Sequence, residues 1–130
     1  MKPISLADLD LVTASENTYE FEYLPDGRST GVLISVIGGQ APKVQEFVRK
    51  YFNLKRTAEA LAAKRGKDIA RTIEDDEDFA VDYAAIRITG WKGIAEPFSL
   101  ENAKVLCRNN RLIREQVVEA SDNLANFTRS

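Results

Sequence analysis

The chain of 130 residues contains no histidine. Histidine is the commonest general base near neutral pH and a frequent zinc ligand, so Ser-His-Asp and Cys-His catalysis and histidine-based metal centres are excluded. Cys107 is the single cysteine; it cannot build an internal disulfide framework, and a lone thiol fits a reducing compartment. Gly38 and Gly39 lack the spacing of a phosphate-cradling loop, and neither GxGxxG nor GxxxxGK[ST] occurs. No apolar run reaches the length of a membrane span, and the stretch from Met1 to Leu11 lacks the long apolar core of a secretion signal. The net charge of -2 gives no overall basic footprint for nucleic acid or an anionic membrane. The expectation is a protein made and used in the cytosol, without cofactor, metal or catalytic apparatus, that binds neither membrane nor nucleic acid.

What is present is an ordinary globular balance: hydrophobic residues make up 44% and charged residues 29%, enough for one domain over residues 1–130 to fold by itself. Residues 1–17 read as a loosely ordered leader with a helical turn after Ser5. Tyr19, Phe21 and Tyr23 alternate with Glu20 and Glu22, the pattern of a half-buried strand. Pro25, Asp26 and Gly27 suit a turn, and Thr30 to Ile37 is rich in β-branched residues, so the segment predicts an N-terminal β-hairpin. A lone hairpin is marginal, so these strands need helices or further strands against them.

About four helices follow. Pro42 suits a first helical turn, and Val44, Phe47, Val48, Tyr51 and Phe52 form a stripe expected to face the core, continued by Ala58, Leu61 and Ala62 to a cap at Gly66. Thr72 and Asp75 resemble a capping box that opens a second helix with Phe79, Tyr83 and Ile86 on its apolar face. Gly90, Trp91, Lys92, Gly93 and Pro97 predict an irregular connection. Ser99 is placed to cap a short helix through about Arg108, Asn109 and Asn110 suit a turn through the left-handed region, and a last helix carries Ile113, Val117, Ala120, Leu124 and Phe127. The fold class is α+β, predominantly helical.

The acidic run Glu74, Asp75, Asp76, Glu77, Asp78 has the oxygens a hard cation wants. It fails the calcium-loop test, because the sixth position counted from Glu74, Asp75 or Asp76 is Phe79, Ala80 or Val81 and not glycine. It reads as a solvated helix start favoured by the helix dipole, or as a contact for a basic partner. Leu61, Ala62 and Gly66 with Lys64, Arg65, Lys67 and Arg71 raise a helix-turn-helix reading, but the next helix would push five carboxylates toward phosphates. Cys107 reads as a small buried helical residue. Trp91, between two glycines, either plugs the core or anchors an interface, which makes it a possible partner contact.

Taken in order, the aromatic strand, Pro25, Asp26, Gly27, Thr30, Gly31, Val32 and the glycine step into a helix resemble the tail assembly chaperones of long, non-contractile-tailed bacteriophages. So do Ile88, Thr89, Gly90, Trp91, Lys92, Gly93, Ile94, then Phe98, Ser99, Leu100, Glu101, Asn102, Ala103, and the closing Asn126, Phe127. The resemblance spans about Tyr19 to Phe127. It implies a non-enzymatic protein of the host cytoplasm that binds the phage tape measure protein, keeps it soluble during tail tube assembly and is absent from the finished virion. It further implies that a frameshifted longer form can recruit the tail tube protein. The alternative from a different class is a small DNA-binding or regulatory protein that uses the basic helix over 42–71.

Charge is unevenly placed along the chain. From Pro42 to Arg71 nine basic residues face three acids, a balance of +6, whereas Thr72 to Asp82 holds six acids and no base. Such patches either neutralise each other within one molecule or join neighbouring copies head to tail. The residues expected to carry weak self-association are Arg49, Lys50 and Arg56 on one surface and Asp75, Asp76 and Asp78 on the other.

Overall fold

The computed structural model describes residues 3–64 and 73–128, with the side chains of 62 and 73–75 also outside the described set. The expected cap at Gly66 and the Thr72 and Asp75 box therefore lie outside the described residues. The element order is a 3-10 turn (Ala7–Leu9), α1 (Leu11–Ser15), β1 (Thr18–Glu22), β2 (Leu33–Ile37), α2 (Pro42–Lys64), α3 (Ile73–Ala85), β3 (Ile88–Lys92), α4 (Leu100–Asn109), α5 (Arg111–Asp122) and α6 (Ala125–Thr128). The chain is α+β, as its patterning predicts.

The hairpin forms, with Thr18 to Glu22 antiparallel to Ile37 to Leu33. Its loop is braced by Glu22, whose Oε2 accepts from the Ser29 hydroxyl at 2.7 Å and from Gly31 N at 3.1 Å. It is not an isolated pair: β3 adds antiparallel to β2, giving a three-stranded sheet in the order β1-β2-β3. The irregular connection expected from Gly90 to Pro97 is thus corrected over its first half. Val36 pairs with Ile88 while Ser35 pairs with Gly90, so Thr89 is the extra residue of a bulge, and a glycine in a strand is a common mark of one. Gly93 ends β3 at φ +81°, and a Cβ there would sit 2.9 Å from the carbonyl carbon of Gly31. Only glycine meets both demands.

The four main helices stand where the periodicity places them, but two short ones, α1 and α6, are added. The last helix does not run through to Phe127. Asn123 stops α5 in an extended conformation, and the chain restarts as α6, which turns Phe127 inward against Tyr19 with ring centroids 6.3 Å apart. Asn110 is also a correction: its φ of -136° is extended, and its Oδ1 caps α5 by accepting from Ile113 N at 3.0 Å. Ser99 caps α4 as expected, its Oγ accepting from Asn102 N at 3.0 Å.

One face of the sheet carries the core. Ile34 and Val36 project from β2 onto Val81, Ala84 and Ala85 of α3, Ala103 and Cys107 of α4, and Ile113 and Val117 of α5, with Tyr19, Phe21 and Trp91 packed at the margin. The opposite face is wetter and bears the Glu20–Lys92 ion pair at 3.8 Å. The leader is anchored at its end: Ser15 is buried, its carbonyl accepts from Gly38 N at 2.8 Å, and α1 lies against α6.

Candidate functional site

Helix α2 is 23 residues long, roughly 34 Å at 1.5 Å per residue. Val44, Phe47, Tyr51, Leu54, Ala58 and Leu61 recur along it in steps of three and four, the spacing of a coiled-coil seam. The expectation that its apolar stripe faces the core is corrected here. Val44 alone among the five expected residues is fully buried, in a small cluster with Ile37 and Ala41. Phe47 and Tyr51 are half-buried against Phe79 of α3, at centroid distances of 6.2 and 4.1 Å, and Phe79 meets Tyr83 at 5.3 Å. Beyond Tyr51 the seam opens to water: Leu54 is 72% exposed, Leu61 49%, and Ala58 is exposed between them. Phe52, on the flank, is 48% exposed.

Between α2 and α3 lies a groove of about 460 Å³, lined by Phe47, Lys50, Tyr51, Leu54, Asp78, Phe79 and Asp82. An apolar floor with charges of both signs at the rim is the chemistry of a surface that takes an amphipathic segment. The aromatic anchors come from both helices, so the groove exists only because α3 packs on α2.

The residues expected for self-association are separated by this arrangement. Arg49 and Arg56, a heptad apart, lie on the outer face of α2 away from the seam, while Lys50 flanks the seam and pairs with Glu46 at 3.1 Å. Asp78 is engaged within the molecule, accepting from Arg108 Nη2 at 2.6 Å; Asp82 pairs with Lys104 at 3.5 Å and Glu77 with Arg114 at 3.9 Å. Asp76 also has a partner, and the side chain of Asp75 lies outside the described residues. Glu77, Asp78 and Asp82 are therefore answered by the bases of α4 and α5. Those of α2 stay at the surface.

Trp91 stands between its two expected roles. It is half-buried, its Nε1 donates to the Glu96 carbonyl at 3.0 Å, and its ring meets Phe98 edge-on at 5.2 Å. It also walls a groove of about 300 Å³ with Ile94, Val105 and Leu106. Cys107 is fully buried, and desolvation pushes its thiol up to about 11. Such a group holds its proton and is a poor nucleophile at neutral pH.

Among the described residues one buried charge was not anticipated from the sequence. Arg87 is 1% exposed; its Nη1 donates to Ser121 Oγ at 2.8 Å and Asp122 Oδ1 at 2.7 Å, its Nε donates to the Tyr83 carbonyl at 3.2 Å, and its guanidinium lies 4.2 Å from the centre of the Tyr83 ring. Ser121 passes the connection on by donating to the Ile37 carbonyl at 2.7 Å. The network ties α3, β2 and α5 together. An arginine between Ile86 and Ile88 was the available signal, since a charge inside an apolar run must find partners.

Among the described residues no group of three or more acidic or cysteine side chains is arranged to hold a metal ion, and no helix is long and apolar enough to cross a membrane. The residues that carry the phage resemblance gather at turns and packing points: Gly31 against Gly93, Trp91 on Phe98, the Ser99 cap, Asn102 Nδ2 donating to the Pro97 carbonyl at 2.9 Å, and Phe127 on Tyr19. No family model, curated protein or solved structure matches the chain.

Proposed function

We propose that this chain is a non-catalytic tail assembly chaperone of the long, non-contractile-tailed phage kind. It binds the tape measure protein in the host cytoplasm, shields its apolar stripes from aggregation, and leaves as the tail tube forms around it. A frameshifted longer form would bring in the tail tube protein. The observation that carries the reading is the half-covered seam of α2: Phe47 and Tyr51 are seated on Phe79, and Leu54, Ala58 and Leu61 stand uncovered beside a groove. A tape measure is a long helical chain, and a small module with an open helical seam suits coating one in many copies.

The exposed bases of α2 favour a second reading, a DNA-binding or regulatory protein. Against it, Asp78 and Asp82 line the same groove and would meet phosphates.

Two measurements separate the readings. Co-expression with the tape measure protein encoded downstream should move that protein into the soluble fraction, and titration with duplex DNA should show no steeply salt-dependent binding. An insoluble tape measure protein alongside tight, salt-sensitive DNA binding would replace the first reading with the second.

A further inference from the structure

We infer that the open part of the α2 seam is one half of a two-helix interface whose other half is a partner helix with an apolar heptad stripe and acidic flanks. This inference deepens the helix-binding reading above and rests on it. The positions that flank the seam are Val48, Lys50, Lys55, Thr57, Ala62 and Lys64, so every charge at the flank is positive. The acids of α2, Glu46 and Glu59, fall outside these positions. In paired helices the flanking charges select the partner, because opposite charges meet across the seam and like charges are held apart.

The molecule already contains the apolar part of this pairing once, while the nearby charges are engaged elsewhere, Asp78 with Arg108, Asp82 with Lys104 and Lys50 with Glu46. Along its first turns the seam is covered by α3, which presents Phe79 to Phe47 and Tyr51 while Asp78 and Asp82 share the groove with Lys50. The observed α2–α3 contact is thus aromatic, Phe79 on Phe47 and Tyr51. Past Tyr51 the seam continues with the exposed Leu54, Ala58 and Leu61, and Lys55 and Lys64 continue the positive flank. An incoming helix of the same chemistry extends what α3 begins. A second copy of α2 does not, since it would set lysine against lysine.

The uncovered seam runs only about two helical turns, so each copy binds weakly and tight coverage requires many copies along one partner. Each exposed charge pair adds little, so charge governs choice and orientation while Leu54 and Leu61 supply the affinity.

The test uses the full chain and two labelled synthetic helices of about four heptads, both with leucine at the seam positions, one flanked by glutamate and the other by lysine. Fluorescence anisotropy should show binding of the glutamate-flanked helix, weakened by salt, and none of the lysine-flanked one. Leu54→Asp with Leu61→Asp should weaken binding by at least about tenfold. Both leucines are exposed, so the circular dichroism and Tm of the variant should match the parent's. Equal binding of both helices, binding of neither, or binding indifferent to the double substitution overturns the inference. Co-expression keeps its failure apart from that of the chaperone reading. If the double variant still solubilises the tape measure protein, the seam assignment falls and the chaperone reading stands. If the glutamate-flanked helix binds but the parent protein does not solubilise the tape measure, the seam stands and the chaperone reading falls.

Discussion

A guanidinium taken out of water costs several kcal/mol unless its N–H groups find acceptors, and Arg87 meets that demand with Ser121, Asp122 and the Tyr83 carbonyl. The arrangement leaves no room behind it: a Cβ on Gly39 would sit 2.9 Å from Arg87 Nη1. Arg87→Ala should therefore cost at least about 2 kcal/mol, read as a lower urea midpoint, while Lys104→Ala, at an exposed pair, should stay within about 1 kcal/mol of the parent. Equal effects of the two would mean that Arg87 is not the hub described. Cys107 gives a second residue-scale test. Burial raises its thiol to about 11, with the nearby Arg114 pulling weakly the other way. A folded pKa above the unfolded value of about 8.5 means that thiol ionisation favours the unfolded chain. This contribution is fully present below about pH 8.5 and is lost as the pH rises toward about 11. Alkylation at mildly alkaline pH should be slow in the native protein and fast in urea, and Cys107→Ala should flatten the alkaline decline in stability. Rapid labelling of the native thiol would contradict its burial.

At the scale of elements, patterns with a strong period were legible and those that depend on a distant neighbour were not. The alternation of Tyr19, Phe21 and Tyr23 specifies β1, and the stripe of α2 specifies that helix, because side-chain period follows from backbone geometry. What the stripe faces is not contained in its period: Phe47 and Tyr51 have the spacing of core residues, yet they are half-buried, with Phe79 of α3 packed on them. Strand β3 was obscured by Gly90, which weakens strand propensity and is tolerated because β2 pairs beside it around a bulge. The break at Asn123 was hidden because Leu124 and Phe127 continue the α5 rhythm. A half-covered Phe47 predicts a milder variant than a core phenylalanine, for which alanine costs about 3 to 5 kcal/mol. Phe47→Ala should lose about 1 to 2 kcal/mol, the loss of part of its transfer energy and of one ring contact. A loss as large as that of a core phenylalanine would mean that α2 is buried far more deeply than this.

For the whole molecule, the distribution of charge decides how copies treat one another. Asp78, Asp82 and Glu77 of α3 are engaged by Arg108, Lys104 and Arg114, so head-to-tail joining through Asp78 and the outer bases Arg49 and Arg56 must compete with contacts already made. Self-association should therefore be weak and salt-sensitive, visible by sedimentation only at high protein concentration. The fold class and the main helices could be read from sequence. The open seam could not, because openness is a property of what fails to cover a helix. In the proposed function this chain holds an aggregation-prone helical partner in solution through its surface and not through chemistry. Diluting unfolded tape measure protein into buffer with increasing amounts of the chain, without nucleotide, and following light scattering tests it most directly. Scattering should fall progressively and reach its floor only with several copies of the chain per tape measure molecule; undiminished scattering at a large excess would rule this function out.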